Sequence, residues 1–209
     1  MNEIVYEFGD KLYVNLTNRC TNRCEFCIRN RAEGIGGHRL WLKSEPTSDE
    51  TIAALRDADF TRYPEVVFCG YGEPLCAYMT LLSVARFVHG AGVRTRINTN
   101  GQGELIAGRA IATDLSDCID AVSVSLNAPT AAAYDAICHS VYGEAAFDAL
   151  WDFAKHCREA GIDVEMSVVD SIGSDAIAAC RALCDAASVR LKVRAYIDDA
   201  SKESHTRLN

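Results

Sequence analysis

A chain of 209 residues with 49% hydrophobic content holds enough apolar material for one good core and little for a second. Its formal charge of −8 excludes broad electrostatic attachment to nucleic acid or to an anionic membrane surface. No apolar run approaches a membrane span, and the opening residues lack the basic start and apolar stretch of a secretory leader, so the expected setting is the cytoplasm. In that reducing compartment ten cysteines point to free thiols and metal ligation rather than to a disulfide framework.

Residues 1–11 read as an N-terminal extension, and a first strand over 12–17 runs directly into Asn18-Arg19-Cys20-Thr21-Asn22-Arg23-Cys24-Glu25-Phe26-Cys27. Three thiols in one tight loop are able to converge on one small inorganic body. Structural zinc takes four ligands, and the nearest histidine, His38, lies eleven residues past Cys27 across a glycine-rich stretch. The spacing therefore fits either a partial zinc site or an iron cluster with one iron left open to a chelating molecule. Residues 28–46 follow without periodicity. Arg29, Arg31, His38 and Arg39 make this stretch basic, and Trp41 and Leu42 are suited to tucking it down. It is expected either to cover the metal site and form a substrate or partner surface, or to run as a solvated loop anchored by its tryptophan.

Thr47-Ser-Asp-Glu50 before an apolar stripe predicts a capped helix start. A β-branched and aromatic strand over 65–69 then breaks at Gly70-Tyr71-Gly72-Glu73-Pro74, where the glycines admit a ligand close to the backbone and Glu73 adds charge. Helices are expected over 79–90, 104–114, 144–160 and 174–187, and strands over 93–98, 121–126, 162–169 and 189–196. The strand ends carry Asn98 and Asn100, then Ser125 and Asn127, small polar groups suited to a site built at the C-terminal edge of a parallel sheet. At period two Arg190, Lys192, Arg194 and Tyr196 share a face of the last strand, either turned towards an anionic ligand at the mouth or guarding a solvated sheet edge. Residues 198–209 read as a polar, flexible tail. Cys180 and Cys184, one helical turn apart, either pack in the core or hold part of a second site. Strands alternating with helices predict parallel βαβ units in one α/β domain, but leave open the choice between a barrel and a three-layer sheet.

The Cys-x3-Cys-x2-Cys spacing, with Phe26 before the last cysteine, resembles the hallmark of the radical S-adenosylmethionine (radical SAM) superfamily. That resemblance implies a [4Fe-4S] cluster on Cys20, Cys24 and Cys27, whose open iron chelates S-adenosylmethionine, and a cluster electron that cleaves it to methionine and a 5′-deoxyadenosyl radical. It further implies a partial (βα)6 TIM-like barrel spanning the chain. Gly70 to Pro74 corresponds to the family's Gly-Gly-Glu element and receives the methionyl ammonium group. Phe26, Asn98, Asn100, Ser125 and Asn127 join the cofactor site, the last two at the ribose, and Arg194 suits the methionine carboxylate or an anionic substrate. A low-potential reductant such as flavodoxin or ferredoxin and an anaerobic setting are expected with it. The tightest likeness is to a subgroup linked in name to TatD-type nucleases. Two enzyme readings compete: modification of a small molecule such as a deazapurine precursor, and activation of a glycyl-radical partner protein. Ile28-Arg29 stands where deazaguanine synthases often carry Asp-Thr, which weighs against the first. A non-catalytic iron–sulfur electron carrier or sensor is the reading of another class, and it needs a fourth cluster ligand and no methionine-binding loop.

Overall fold

The strands of this chain alternate polar and apolar residues, and that alternation decides which side of the sheet meets the helices. The computed structural model describes residues 3–31 and 34–197. One sheet has the order β1-β2-β5-β6-β7-β8-β9, built from Val5–Phe8, Lys11–Val14, Glu65–Phe68, Arg94–Thr99, Ala121–Ser125, Asp163–Val169 and Arg190–Arg194. From β2 onward every neighbouring pair is parallel, and only β1 runs antiparallel, against β2. A second, two-stranded ribbon joins β3 (Gly34–Ile35) to β4 (His38–Arg39). The helices are α1 (Ser48–Asp57), α2 (Tyr78–Gly90), α3 (Gly103–Ala107), α4 (Ala112–Ser116), α5 (Ala131–Cys138), α6 (Ala145–Glu159) and α7 (Ser174–Ala186). Each parallel strand lies beside its successor, the arrangement that repeated βαβ crossovers generate.

The structure adds to the sequence reading at four places. Residues 1–11 are not a bare extension: Gly9, with φ of 64°, turns the chain so that β1 pairs with β2. The helix expected over 104–114 is two short ones, because Gly108 adopts φ of 65° and ends α3. Helix α5 was not anticipated; it starts at Thr130, whose hydroxyl accepts the Ala133 N–H at 3.2 Å, but it is too short to show a clear apolar stripe. Within the stretch 28–46 the structure adds the ribbon, whose Ile35 packs with Phe8 of β1 beside Tyr6, Leu40 and Tyr71, while the Leu40 and Leu42 carbonyls accept from Asn15 and Asn18 just before the cysteines. The expected helix start at Thr47 is present, with a reciprocal cap between Thr47 and Glu50. The tail expected over 198–209 lies outside the described residues.

Strand register sorts the side chains into two sets. Leu12, Val14, Val66, Phe68, Ile97, Val122, Val124, Val164 and Met166 share the face covered by helices and are buried in the main core. Cys180 and Cys184 belong to that core too, on the inner side of α7. The opposite, concave face carries Tyr13, Glu65, Arg96, Asn98, Ser123, Ser125, Glu165, Ser167 and Arg194. Ordinary barrels fill this space with branched apolar residues; here it is polar.

At the N-terminal end of the strands that polarity is neutralised internally. Glu65, only 5% exposed, meets Lys11 at 2.8 Å, Arg94 at 3.2 Å and Arg96. Arg96 also reaches Glu165 at 3.4 Å, and Arg94 and Arg190 reach Asp163 at 3.3 and 3.1 Å. These residues line a cavity of about 360 Å³. Burial raises the Glu65 carboxyl, but hydrogen bonds from Arg96 and Lys11 outweigh it and hold the group below its ordinary value. The stabilisation is therefore present above the ordinary carboxyl range and is lost as pH falls through the depressed value. Glu65→Gln takes the shared carboxylate from Lys11, Arg94 and Arg96, leaving Arg94 with Asp163 and Arg96 with Glu165. It is expected to lower stability by about 3 kcal/mol in urea unfolding at neutral pH.

Candidate functional site

The opposite, C-terminal end of the strands collects the residues singled out above. After β2 the chain is buried at Asn15, Leu16 and Thr17 before the cysteines begin. The loop after β5 lies directly against it, because its glycines leave no room between the two backbones. A Cβ on Gly70 would stand 2.0 Å from Asn15 Oδ1, and one on Gly72 would stand 2.3 Å from the Thr17 carbonyl and 2.5 Å from that of Arg19. Glu73 N–H donates to the Arg19 carbonyl at 2.7 Å and locks the two loops together. Arg19 in turn clamps Glu45 at 2.7 and 2.8 Å and the Cys76 carbonyl at 2.7 Å.

Glu73 itself is 3% exposed. Its carboxylate accepts from Leu75 N–H at 3.1 Å, Thr99 Oγ1 at 2.8 Å and Asn100 N–H at 2.7 Å, which ties the loop after β5 to the end of β6. Burial raises its pKa to about 7, against the lowering effect of these hydrogen bonds. Pro74 opens the 3-10 turn that follows.

All ten cysteines are free thiols. Cys20 receives the Asn22 N–H at 3.4 Å and Asn100 Nδ2 at 4.0 Å. Burial pushes its thiol up to about 12. Cys24 is raised by a hydrogen bond with Cys138 and by burial, and Cys27 by burial against the lowering pull of the Arg29 N–H. The three residues are only partly buried, and neutral thiols become ligands when a cation supplies the opposing charge. Among the described residues no three His, Cys, Asp or Glu side chains converge closely enough to hold a single ion. The donor set of three soft thiols, with N–H groups turned towards the sulfurs, fits an iron–sulfur cluster.

A buried polar network holds the cysteine loop from the side, and sequence reasoning did not find it. Gln102, fully buried, donates to Asn22 Oδ1 at 2.8 Å and accepts from Thr21 Oγ1 at 2.6 Å. Asn22 Nδ2 donates to the Tyr134 hydroxyl of α5 at 2.9 Å, and Asn100 Nδ2 to Thr21 Oγ1 at 2.8 Å. Thr21 and Asn22 stand in the cysteine motif itself and Asn100 at the end of β6, but Gln102 and Tyr134 join them only through the fold.

The remaining candidates divide into two groups. Phe26, Asn127, Arg31 and Tyr196 line a cavity of about 510 Å³ beside the cysteine loop. Asn127 has φ of 55° and a buried Oδ1 without a protein partner. Arg194 Nη2 stands 3.5 Å from Ser125 Oγ, while its Nε is buried and unpartnered, and burial lowers its pKa. Asn98 hydrogen-bonds the Cys69 thiol near it. Arg29 Nη1 caps the Asn18 and Tyr71 carbonyls at 3.3 Å each, with its guanidinium 5.2 Å from the ring centre of Trp41, which meets Tyr71 edge-on at 5.2 Å. His38 and Arg39 lie apart: His38 Nδ1 pairs with Glu3 at 2.5 Å and the Arg39 N–H with Glu3 at 2.6 Å.

Comparison with known proteins agrees with this geometry. The family model described as the Radical SAM superfamily matches residues 14–173. No curated protein matches. Among solved structures the chain is similar to Streptococcus suis SuiB bound to S-adenosylmethionine, with TM-score 0.70 and 18% identity over 94% of this chain and 43% of that one. It is also similar to a radical SAM methyltransferase from Sphaerobacter thermophilus (TM-score 0.62, 17% identity, 91% and 57% covered) and to anSMEcpe with bound AdoMet (0.66, 14%, 89% and 51%). The chain spans about half the length of these structures. Their fold makes the open, mostly parallel sheet a partial barrel of the expected kind. The family match covers the cysteine loop, the Gly70–Pro74 loop and strands β5 to β8, and on it this chain belongs to the radical SAM superfamily.

Proposed function

We propose that the chain binds a [4Fe-4S] cluster through Cys20, Cys24 and Cys27 and uses it to cleave S-adenosylmethionine reductively, so that a hydrogen atom is taken from a substrate held in the polar concave face. When bound, cluster and cofactor supply the electron and the organic radical for that step. The observation that carries the reading is the interlock of cysteine loop and glycine loop, with Glu73 N–H on the Arg19 carbonyl and no space for a side chain at Gly72.

The chain's own residues then have distinct tasks. The glycine loop offers backbone carbonyls to the methionyl ammonium, and Glu73 fixes that loop to β6. Phe26, Asn127 and the cavity of about 510 Å³ suit the adenosyl portion, with the unpartnered Asn127 Oδ1 ready to accept a hydroxyl. Asn98, Ser125 and Arg194, whose Nε is unpartnered, favour a polar substrate or cofactor group bearing negative charge. Arg29 and Trp41 border this mouth, and a flavodoxin- or ferredoxin-like protein would deliver the electron. SuiB has been solved with its precursor peptide SuiA, so a peptide belongs among the first substrates to try. Likeness to the TatD-associated subgroup stays part of the proposal and names no substrate.

The deciding experiment uses anaerobically reconstituted, dithionite-reduced protein. Added S-adenosylmethionine is expected to change the cluster's EPR signal, and 5′-deoxyadenosine to accumulate. A four-iron cluster that ignores the cofactor would transfer the chain to the carrier or sensor class.

Glu73→Gln is expected to retain iron while cofactor cleavage falls about 10–100-fold, as measured by 5′-deoxyadenosine formation. In the metal-free protein the raised Glu73 pKa adds stability that is fully present below the ordinary value of 4.5 and is lost as pH rises through about 7. Thermal melts across that window should show this slope in the parent protein and its loss in Glu73→Gln.

Gln102→Leu removes the acceptor of the Thr21 hydroxyl and the donor to Asn22 Oδ1, while Asn100 still reaches Thr21 and Tyr134 still meets Asn22 Nδ2, at a cost of about 2 kcal/mol. It is expected to lower both the melting temperature and the iron retained per chain after desalting.

A further inference from the structure

The charges that the parallel strands turn into the concave face do not balance. Three carboxylates stand there, Glu65, Asp163 and Glu165, and all three are taken near the N-terminal strand ends by Lys11, Arg94, Arg96 and Arg190. The register of β9 on β8 adds Lys192 and Arg194 to the same face, opposite Ser167 and Val169. Neither forms an ion pair among the described residues. In a chain with a formal charge of −8 these strands therefore carry surplus positive charge.

Lys192 is exposed, so water satisfies its charge. Arg194 differs. Its Nε is buried without a partner, and among the described residues it makes one long hydrogen bond, from Nη2 to Ser125 Oγ at 3.5 Å. Burial disfavours the cation and lowers its pKa, yet a guanidinium stays protonated at neutral pH, so the charge persists at a cost. Where an arginine of this face is structural, the protein supplies the acid itself: Arg96 meets Glu65 and, at 3.4 Å, Glu165. For Arg194 the acid is missing.

We propose that Arg194, with Ser125 beside it, anchors a carboxylate of the substrate in the concave face. The proposal rests on the cofactor-cleaving reading above and names the class of substrate that the same site takes. One guanidinium balances one negative charge, and its fork of N–H groups matches two carboxylate oxygens. A phosphate dianion would leave a charge over, because the other cations of the face are either solvated or already paired. Position separates this anchor from the cofactor groups. The cavity assigned to the adenosyl portion takes Tyr196 from beyond β9 but not Arg194, and the methionyl group is assigned to the Gly70–Pro74 loop after β5. Arg194 instead reaches back across β8 to Ser125 of β7.

The test titrates propionate, with propionamide as its neutral counterpart, into the full chain at constant ionic strength and follows the melting temperature. It is run on metal-free and on anaerobically reconstituted protein. The parent is expected to show a saturable rise with propionate and none with propionamide. Arg194→Met, similar in length but uncharged, is expected to bind propionate about tenfold more weakly, with Arg194→Lys in between. Arg190→Met, at the other end of β9, should match the parent. Equal propionate responses in the parent and Arg194→Met, or no response in the parent, would overturn the proposal. If Arg194→Met loses its cooperative melt, Arg194→Gln repeats the comparison. A second arm follows the EPR change that S-adenosylmethionine causes in reconstituted protein. Its midpoint is expected to be the same in the parent and Arg194→Met, and saturating cofactor should leave propionate binding in place. Competition between the two, with weaker cofactor binding in the variant, would assign Arg194 to the methionine carboxylate and overturn the proposal. No EPR change in the parent would instead overturn the cofactor reading, while the metal-free titration decides separately whether the carboxylate anchor exists.

Discussion

A carboxylate buried at Glu73, 3% exposed, is the constraint on which the site depends. An isolated charge there would be costly, and Leu75 N–H, Thr99 Oγ1 and Asn100 N–H around the group offset part of that cost. Those donors come from two strand ends, so satisfying one acid also fixes the spacing between the loops after β5 and β6. The same residue's N–H reaches Arg19 in the cysteine loop. Glu73 therefore joins three loops, and the positions of Cys20 and Asn100 follow from where it sits.

The concave face shows how electrostatics divide one surface into two regions. Near the N-terminal strand ends Lys11, Arg94, Arg96 and Arg190 face Glu65, Asp163 and Glu165 at ion-pair distances, so that region is satisfied internally. Near the C-terminal ends Arg194 and Asn127 retain buried atoms without protein partners. Unpaired buried polar groups are costly and persist where something outside the protein completes them. The contrast supports, independently of the cysteine motif, the proposal that a ligand binds at the C-terminal end of the strands.

Most of the fold and the centre of the site were legible in the sequence. The thiol spacing, the glycine break after a β-branched strand and the polar strand ends lie in short contiguous runs whose chemistry is local. What escaped depended on contacts across the fold. Gln102 and Tyr134 are unremarkable in their own segments and acquire meaning only when α5 is packed beside the cysteine loop. Helix α5 itself, with eight residues, is too short for its apolar face to stand out. His38 and Arg39 looked suited to a partner surface because they are basic and glycine-flanked, but Glu3 draws both to the β1 edge.

These cross-fold contacts explain why the metal loop is held more firmly than its sequence suggests. Three cysteines in ten residues of loop would sample many arrangements, and ordering each residue costs conformational entropy of about 1–2 kcal/mol. Here Arg23 and Glu25 are fixed to the end of α5, Asn22 to Tyr134 and Gln102, and Arg19 to Glu45 and Cys76. Much of the ordering of the cysteine loop is thus achieved by the protein's own contacts. On the proposed reading, a cluster would have only to convert three neutral, partly buried thiols into thiolates, a step whose proton release would make its assembly more favourable as pH rises.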